Sequence, residues 1–313
     1  MNNDGIEQTE HQSQNSQQRG ASDVPALTCL EIRIRGETLK YLLDLNAPCQ
    51  RLIFDWCQDD FLYEFPSVLA LDSVLRPGDT FLDVGAHIGF FTLIAAGMVG
   101  PSGRVVAFEP DPTNFRFLQR NIELNRLRHV VLINAAAGEN EGAATLYENL
   151  DNDGGHALWP PGLHPMNHRS KGHTKSYTVA QVTIDTVAER LGLGAIRAMK
   201  IDTEGAEVKV VKGATRRLAD RTLSLVICEH LLFALQAMGT STADLFRFFY
   251  SNGYQGYLSS NAIDFSEVKV DRDFQPPPRW MEEHRERAEN IFFIRPESFS
   301  WPSALRVTAH VSG

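Results

Sequence analysis

From residue 80 onward short apolar runs alternate with helical periods, and few folds accept that pattern. The runs at 80–84, 104–108, 130–134, 198–201 and 223–228 have the length and composition of strands buried on both faces. Between and after them fall helical periods at 90–99, 112–125, 184–191, 206–218 and 242–252. In the second of these Asp111 is placed to cap, Pro112 takes the first helical position, and Phe115, Leu118 and Ile122 share one face. The alternation predicts an α/β, doubly wound, mostly parallel sheet with helices on both faces. Ligands of such sheets bind beyond the carboxyl ends of the strands, so the informative residues are those just after each run.

The flanks read differently. The first 22 residues hold five glutamines and three asparagines, with only Met1, Ile6 and Ala21 apolar, which is the composition of a disordered tail and not of an export signal. Residues 23–76 read as an N-terminal cover. Leu30, Ile32 and Ile34 alternate with charged residues, Arg35-Gly36-Glu37 makes a turn, 39–43 extends again, and a short helix runs from Phe65-Pro66 to Leu75. The sheet domain takes 77–300, with further strands at 143–147, 254–258 and 290–294, and 301–313 reads as a C-terminal tail. Residues 149–176 interrupt the domain with Trp159-Pro160-Pro161-Gly162, four histidines and no period, the signature of a lid-like insertion.

Thirty basic against thirty-nine acidic residues give a net charge of −9, which argues against binding nucleic acid by phosphate neutralisation and against a polybasic membrane anchor. The longest apolar stretch, 81–99, is broken by Asp83, His87 and glycines, so no membrane span is expected. Cys29, Cys49, Cys57 and Cys228 form no CxxC pair or zinc spacing, and the chain reads as a soluble cytoplasmic protein with reduced thiols. Oligomeric state is not legible.

The first strand ends in Asp83-Val-Gly85-Ala86-His87-Ile-Gly89 and a helix follows at once, so a ligand can lie against the turn's backbone. The second strand ends at Glu109-Pro110, where a carboxylate can accept both ribose hydroxyls. A dinucleotide fingerprint needs glycine where His87 stands, which counts against NAD or FAD. S-adenosylmethionine has no phosphate and tolerates a bulkier turn, and Asp83 can face its cationic end. The turn and Glu109 together therefore point to S-adenosylmethionine.

Two later strand ends carry polar groups suited to chemistry: Lys200-Ile-Asp202-Thr-Glu204-Gly205-Ala-Glu207 and Glu229-His230. Ionising an alcohol at neutral pH means shifting its pKa by roughly nine units, about 12 kcal/mol, and a positioned base acting in concert supplies typically ~10²–10⁴-fold. Asp202, Glu229 and His230 are the catalytic candidates, with His230 as base. Asp202 and Glu229 also suit a magnesium-like divalent cation, and Glu204 is placed to hold substrate. The structural alternative is that these carboxylates cap helices or pair with Lys200; Glu207, at a helix start, reads as structural.

These residues resemble those of the FkbM-type S-adenosylmethionine-dependent methyltransferases. The resemblance rests on Tyr63-Glu64, Pro77-Gly78, the turn from Asp83 to Gly89, Ala107-Phe-Glu109-Pro110 with Asn114-Phe115 and Asn121, Thr183-Ile-Asp185, the run Lys200 to Glu207, and Glu229, over roughly residues 60–295. It implies a class I methyltransferase (Rossmann-like) sheet with an antiparallel last strand, and methyl transfer mostly to hydroxyls of sugars or natural-product-like molecules. It also implies that Asp83, Gly85 and Gly89 line the cofactor, that Glu109 holds its ribose, and that Asn134-Ala135 border the adenine. His87 departs from the family, where asparagine is commoner.

His156, His164, His168 and His173 match no zinc spacing and read as part of a substrate-facing lid, with His156 the candidate for acceptor contact. The main reading is O-methylation of a small hydroxylated acceptor. The rivals are a nitrogen or macromolecular acceptor, against which no D/N-P-P-Y/F/W motif ends a strand, and a non-catalytic protein that retains the cofactor pocket.

Overall fold

A computed structural model describes residues 26–58, 62–173, 175–261, 264–284, 288–299 and 307–310. The segment 1–22 lies outside the described residues. The strands in chain order are β1 (Leu27–Ile34), β2 (Glu37–Asp44), β3 (Thr80–Val84), β4 (Arg104–Phe108), β5 (Val130–Ile133), β6 (Ala136–Ala137), β7 (Gly142–Tyr147), β8 (Ser176–Val182), β9 (Ala198–Ile201), β10 (Leu225–His230), β11 (Gln255–Asn261), β12 (Asp264–Glu267), β13 (Glu289–Ile294) and β14 (Val307–His310).

One sheet organises the molecule, in the order β12-β11-β13-β10-β9-β3-β4-β5. Strands β5, β4, β3, β9 and β10 are parallel, and β13 runs antiparallel to both β10 and β11. This is the class I methyltransferase sheet, with β11 parallel to β10 on the far side of the antiparallel β13, extended at that edge by β12. The short parallel strands are apolar because helices cover them on both faces. Strand alternation divides the side chains: Phe81, Val105, Ala198, Leu225 and Ile227 enter one core, while Leu82, Val106, Met199, Val226 and Cys228 enter the other.

The first core is closed by the N-terminal hairpin, whose Leu30, Ile32, Tyr41 and Leu43 pack with the helix Phe90–Val99. Two elements complete the cover beyond the sequence expectation. The helix Pro48–Gln58 follows the hairpin, and β14 pairs antiparallel with β1, so residues 307–310 form a strand where a tail was expected. A small second sheet, β6-β8-β7, stands beside the main one and carries the 149–176 insertion between its two longer strands. The helical period at 206–218 is cut into Glu207–Lys212 and Thr215–Ala219 at Gly213, where an added Cβ would sit 2.0 Å from the Gly138 carbonyl. Among the described residues no helix is long and apolar enough to cross a membrane.

Candidate active site

The carboxyl ends of β3, β9 and β10 line a cavity of about 470 Å³, and a narrow slot beside Glu109, at the end of β4, adjoins it and shares Gly85, Gly154, Asp202 and Glu204 as walls. The turn after β3 is drawn tight: the amides of Gly85 and Ala86 both donate to the Phe108 carbonyl at 2.9 Å. Gly85 has φ +86°, and a Cβ there would lie 1.7 Å from the Asp202 carbonyl oxygen. Only glycine lets β3 and β9 end this close together.

Glu109 is buried and fully engaged. Its Oε2 accepts from the His87 amide and its Oε1 from the Asp111 amide, each at 2.8 Å. Burial pushes its carboxyl up to about 8. Each oxygen keeps a lone pair for a ribose hydroxyl, so the residue shapes the turn and faces the ligand at once. Asp83, buried beside it in the sheet, is raised by burial to about 6 and accepts from Thr92 Oγ1 at 2.5 Å. Gly85, Ala86, His87 and Asp83 line the larger cavity, and Ala135 lines the slot. Two expected cofactor residues do not reach either wall. Gly89 backs onto Leu118, and the Asn134 amide donates to the Glu109 carbonyl at 2.8 Å, which braces the strand end.

The acid groups gather on the other side of Gly85. On β9 and β10 alternation places Lys200 and Glu229 on the same face as Ala198, Leu225 and Ile227. Lys200 is 3% exposed; its ammonium donates to Asp202 Oδ2, lies 3.6 Å from Glu64 Oε2 and sits 4.6 Å above the Phe91 ring. Asp202, Glu204 and Glu229 each offer an oxygen within 4.8 Å of the others. Glu229 is 8% exposed and, among the described residues, its Oε2 has no hydrogen-bond partner. Burial first, then the neighbouring carboxylates, raise Glu204 to about 8 and Glu229 well above the ordinary range. Three non-glycine residues with positive φ, Glu64 (46°), His87 (51°) and Glu204 (52°), all line this cavity, so backbone strain concentrates where the polar groups are aimed.

The parity that brings Glu229 in takes His230 out. Consecutive strand residues point to opposite faces, and His230 enters the second core, hydrogen-bonded with Thr242 Oγ1 at 2.8 Å and packed 5.3 Å from Trp280. Burial lowers it to about 4. It does not reach the cavity, and the expected base role is withdrawn on that geometry.

The insertion is a packed cover. Asp153 accepts from the Cys49 amide at 2.6 Å, from Gln50 Nε2 at 3.1 Å and from His87 Nε2 at 2.8 Å, while its own carbonyl accepts from Asn114 Nδ2 at 2.7 Å. Burial opposes charge on both partners. Even so, His87 brings Asp153 down to about 2, and Cys49 with Asp153 raises His87 well above its usual range. Trp159 Nε1 donates to the Glu204 carbonyl at 2.7 Å and pins the far end. His156 lines the slot, whose walls include Glu109, Asp202 and Glu204, and does not line the larger cavity that Glu229 enters. Lys200, Tyr63 and Glu64 line the cavity although none was a candidate site residue; Tyr63-Glu64 and Lys200 stood in the resemblance, and the pairing of Lys200 with a strand-end carboxylate was the alternative reading.

The Methyltransferase FkbM domain model matches residues 83–255. The 31-O-demethyl-FK506 methyltransferase FkbM of Streptomyces tacrolimicus is 32% identical over 165 residues, covering 44% of this chain and 60% of that protein. Methyltransferase 1 of Beauveria bassiana is 28% identical over 151 residues, covering 44% and 59%. The match thus spans about 60% of the length of these curated relatives. A crystal structure of Methyltransferase FkbM from Methylobacillus flagellatus is 16% identical with a TM-score of 0.41, covering 78% of this chain and 59% of that one. With the matched segment holding the Gly85 turn, Glu109, the acid cluster and the sheet between them, the chain belongs to the FkbM methyltransferase domain family.

Proposed function

We propose that this protein is an S-adenosylmethionine-dependent O-methyltransferase acting on a hydroxyl of a small, sugar- or natural-product-like acceptor. The observation that carries the reading is the position of Gly85, whose turn lines both the Glu109 slot and the acid-lined cavity, so one elongated ligand reaches from ribose site to acid cluster. S-adenosylmethionine supplies an electrophilic methyl group on a cationic sulfur. Glu109 holds the ribose diol, and the turn at Gly85, Ala86 and His87 supports the donor's backbone-facing side. Asp83 faces the positive end.

In this reading Asp202 takes the proton that the acceptor hydroxyl gives up, and Lys200, which donates to it, orients its carboxylate. Glu229 and Glu204 hold the acceptor from the remaining sides. The same three carboxylates also suit a divalent cation: their oxygens lie within 4.8 Å of one another and, among the described residues, Glu229 Oε2 is unpartnered. Such an ion would stabilise a developing alkoxide. The acid-rich wall suits hydroxyl-bearing acceptors and repels phosphate backbones, which disfavours nucleic acid.

The test is transfer of labelled methyl to a panel of hydroxylated metabolites, run with magnesium and with excess chelator. Labelled ether products support the reading, and loss of product in chelator supports the cation. Transfer to amines or RNA alone would overturn the acceptor class.

A further inference from the structure

The insertion between β7 and β8 contributes a side chain to the nucleoside end of the site. Ala157 pairs with Tyr147 through two backbone hydrogen bonds of 2.8 and 3.2 Å, and Asn149 Nδ2 donates to the Gly155 carbonyl at 3.1 Å. His156 is therefore held from both sides. Its Nδ1 accepts from the Asn149 amide at 3.0 Å, so a neutral ring must carry its proton on Nε2. Burial lowers the ring's pKa and favours that neutral form. Nε2 lies 3.7 Å from Asp111 Oδ2, longer than a hydrogen bond. The ring thus lines the slot with one donor that, among the described residues, no hydrogen bond consumes.

The slot beyond Glu109 is formed by Pro110, Ala135, Ala136, Leu146 and Leu158, apolar walls that suit a flat ring. A ribose held at Glu109 would bring its base against these walls. We infer that His156 reads the base of the methyl donor, donating from Nε2 to a purine ring nitrogen, so that the insertion builds part of the cofactor site as well as covering the acceptor. This assignment rests on the proposed function, which supplies the nucleoside.

Calorimetry with S-adenosylhomocysteine and its 1-deaza, 3-deaza and 7-deaza analogues tests it. A neutral hydrogen bond made out of water corresponds to about a 5–10-fold change in affinity. The native protein should bind one of the three analogues weaker by that factor. His156→Ala should bind S-adenosylhomocysteine weaker by the same factor and no longer distinguish that analogue. His156→Gln, which keeps a donor, should restore part of the discrimination. Thermal melting of each variant separates loss of contact from loss of fold. Unchanged affinity in His156→Ala, or unchanged discrimination among analogues, would overturn the assignment while leaving the proposed function standing. Failure of the native protein to bind S-adenosylhomocysteine at all would overturn the proposed function and this assignment together.

Discussion

Replacing Lys200 by methionine asks whether the acid cluster is held together by one buried cation. Methionine keeps most of the apolar stem against Phe91 and removes the ammonium. Asp202 and Glu64, both within salt-bridge distance of that ammonium, then face each other without it. Breaking a buried ion pair by deleting one partner costs about 3–5 kcal/mol, which at roughly 2 °C per kcal/mol for a chain of this size lowers Tm by about 6–10 °C. The loss should depend on pH. Burial already raises Glu64, and Lys200 is the chief influence holding it down, so the variant's Glu64 takes up a proton more readily. A raised carboxyl favours the folded state at low pH and loses that contribution as pH rises through its folded value. The penalty should therefore be large at pH 7.5 and shrink toward pH 5. Adding Asp202→Asn should recover part of it, with a coupling of about 1–3 kcal/mol in a double-mutant cycle. Denaturant titrations of the four proteins at both pH values give these numbers. A Tm change below about 2 °C at pH 7.5, or strict additivity, would refute the reasoning.

Two further perturbations test other parts of the site. Asp153→Ala removes the acceptor shared by Cys49, Gln50 and His87 and should cost about 1.5–3 kcal/mol, with faster amide exchange across 149–173 and the helix Pro48–Gln58; unchanged exchange there would contradict the clasp. Burial raises Asp83 to about 6, Glu207 to about 7, and Glu109 and Glu204 to about 8, so the ligand-free protein should lose stability as pH climbs from 5.5 to 8.5. A melting temperature that rises over that interval would show that these carboxyls are better solvated than the structure places them.

Much of this was legible in the residues. The parallel strands and their helices follow from apolar runs separated by helical periods, and the helix Pro112–Leu124 starts where Asp111 accepts from the Thr113 and Asn114 amides at 2.8 Å. The Gly85 turn and Glu109 could be placed because strand ends in such a sheet share one edge. What the residues hid was parity and long-range packing. Glu229 and His230 look equally suited to chemistry as types, and only the alternation along β10 decides that one enters the cavity and the other the opposite core. Asp153 looks like a loop residue until Cys49 and His87, far away in the chain, are brought beside it. Strand β14 pairs with β1 across most of the chain, a contact no local pattern announces.

The central claim is that a sulfonium nucleoside lies from Glu109 across Gly85 toward the acid cluster. Its most direct test is calorimetric titration of S-adenosylhomocysteine into the native protein and into Glu109→Gln, which keeps the side chain's shape and one of the two oxygens that accept backbone amides, with thermal melting of both proteins alongside. Saturable binding by the native protein and a loss of about 5–10-fold in the variant are expected, from a ribose hydroxyl hydrogen bond that the amide nitrogen cannot accept. Equal affinities in two folded proteins, or no binding by the native one, would contradict it.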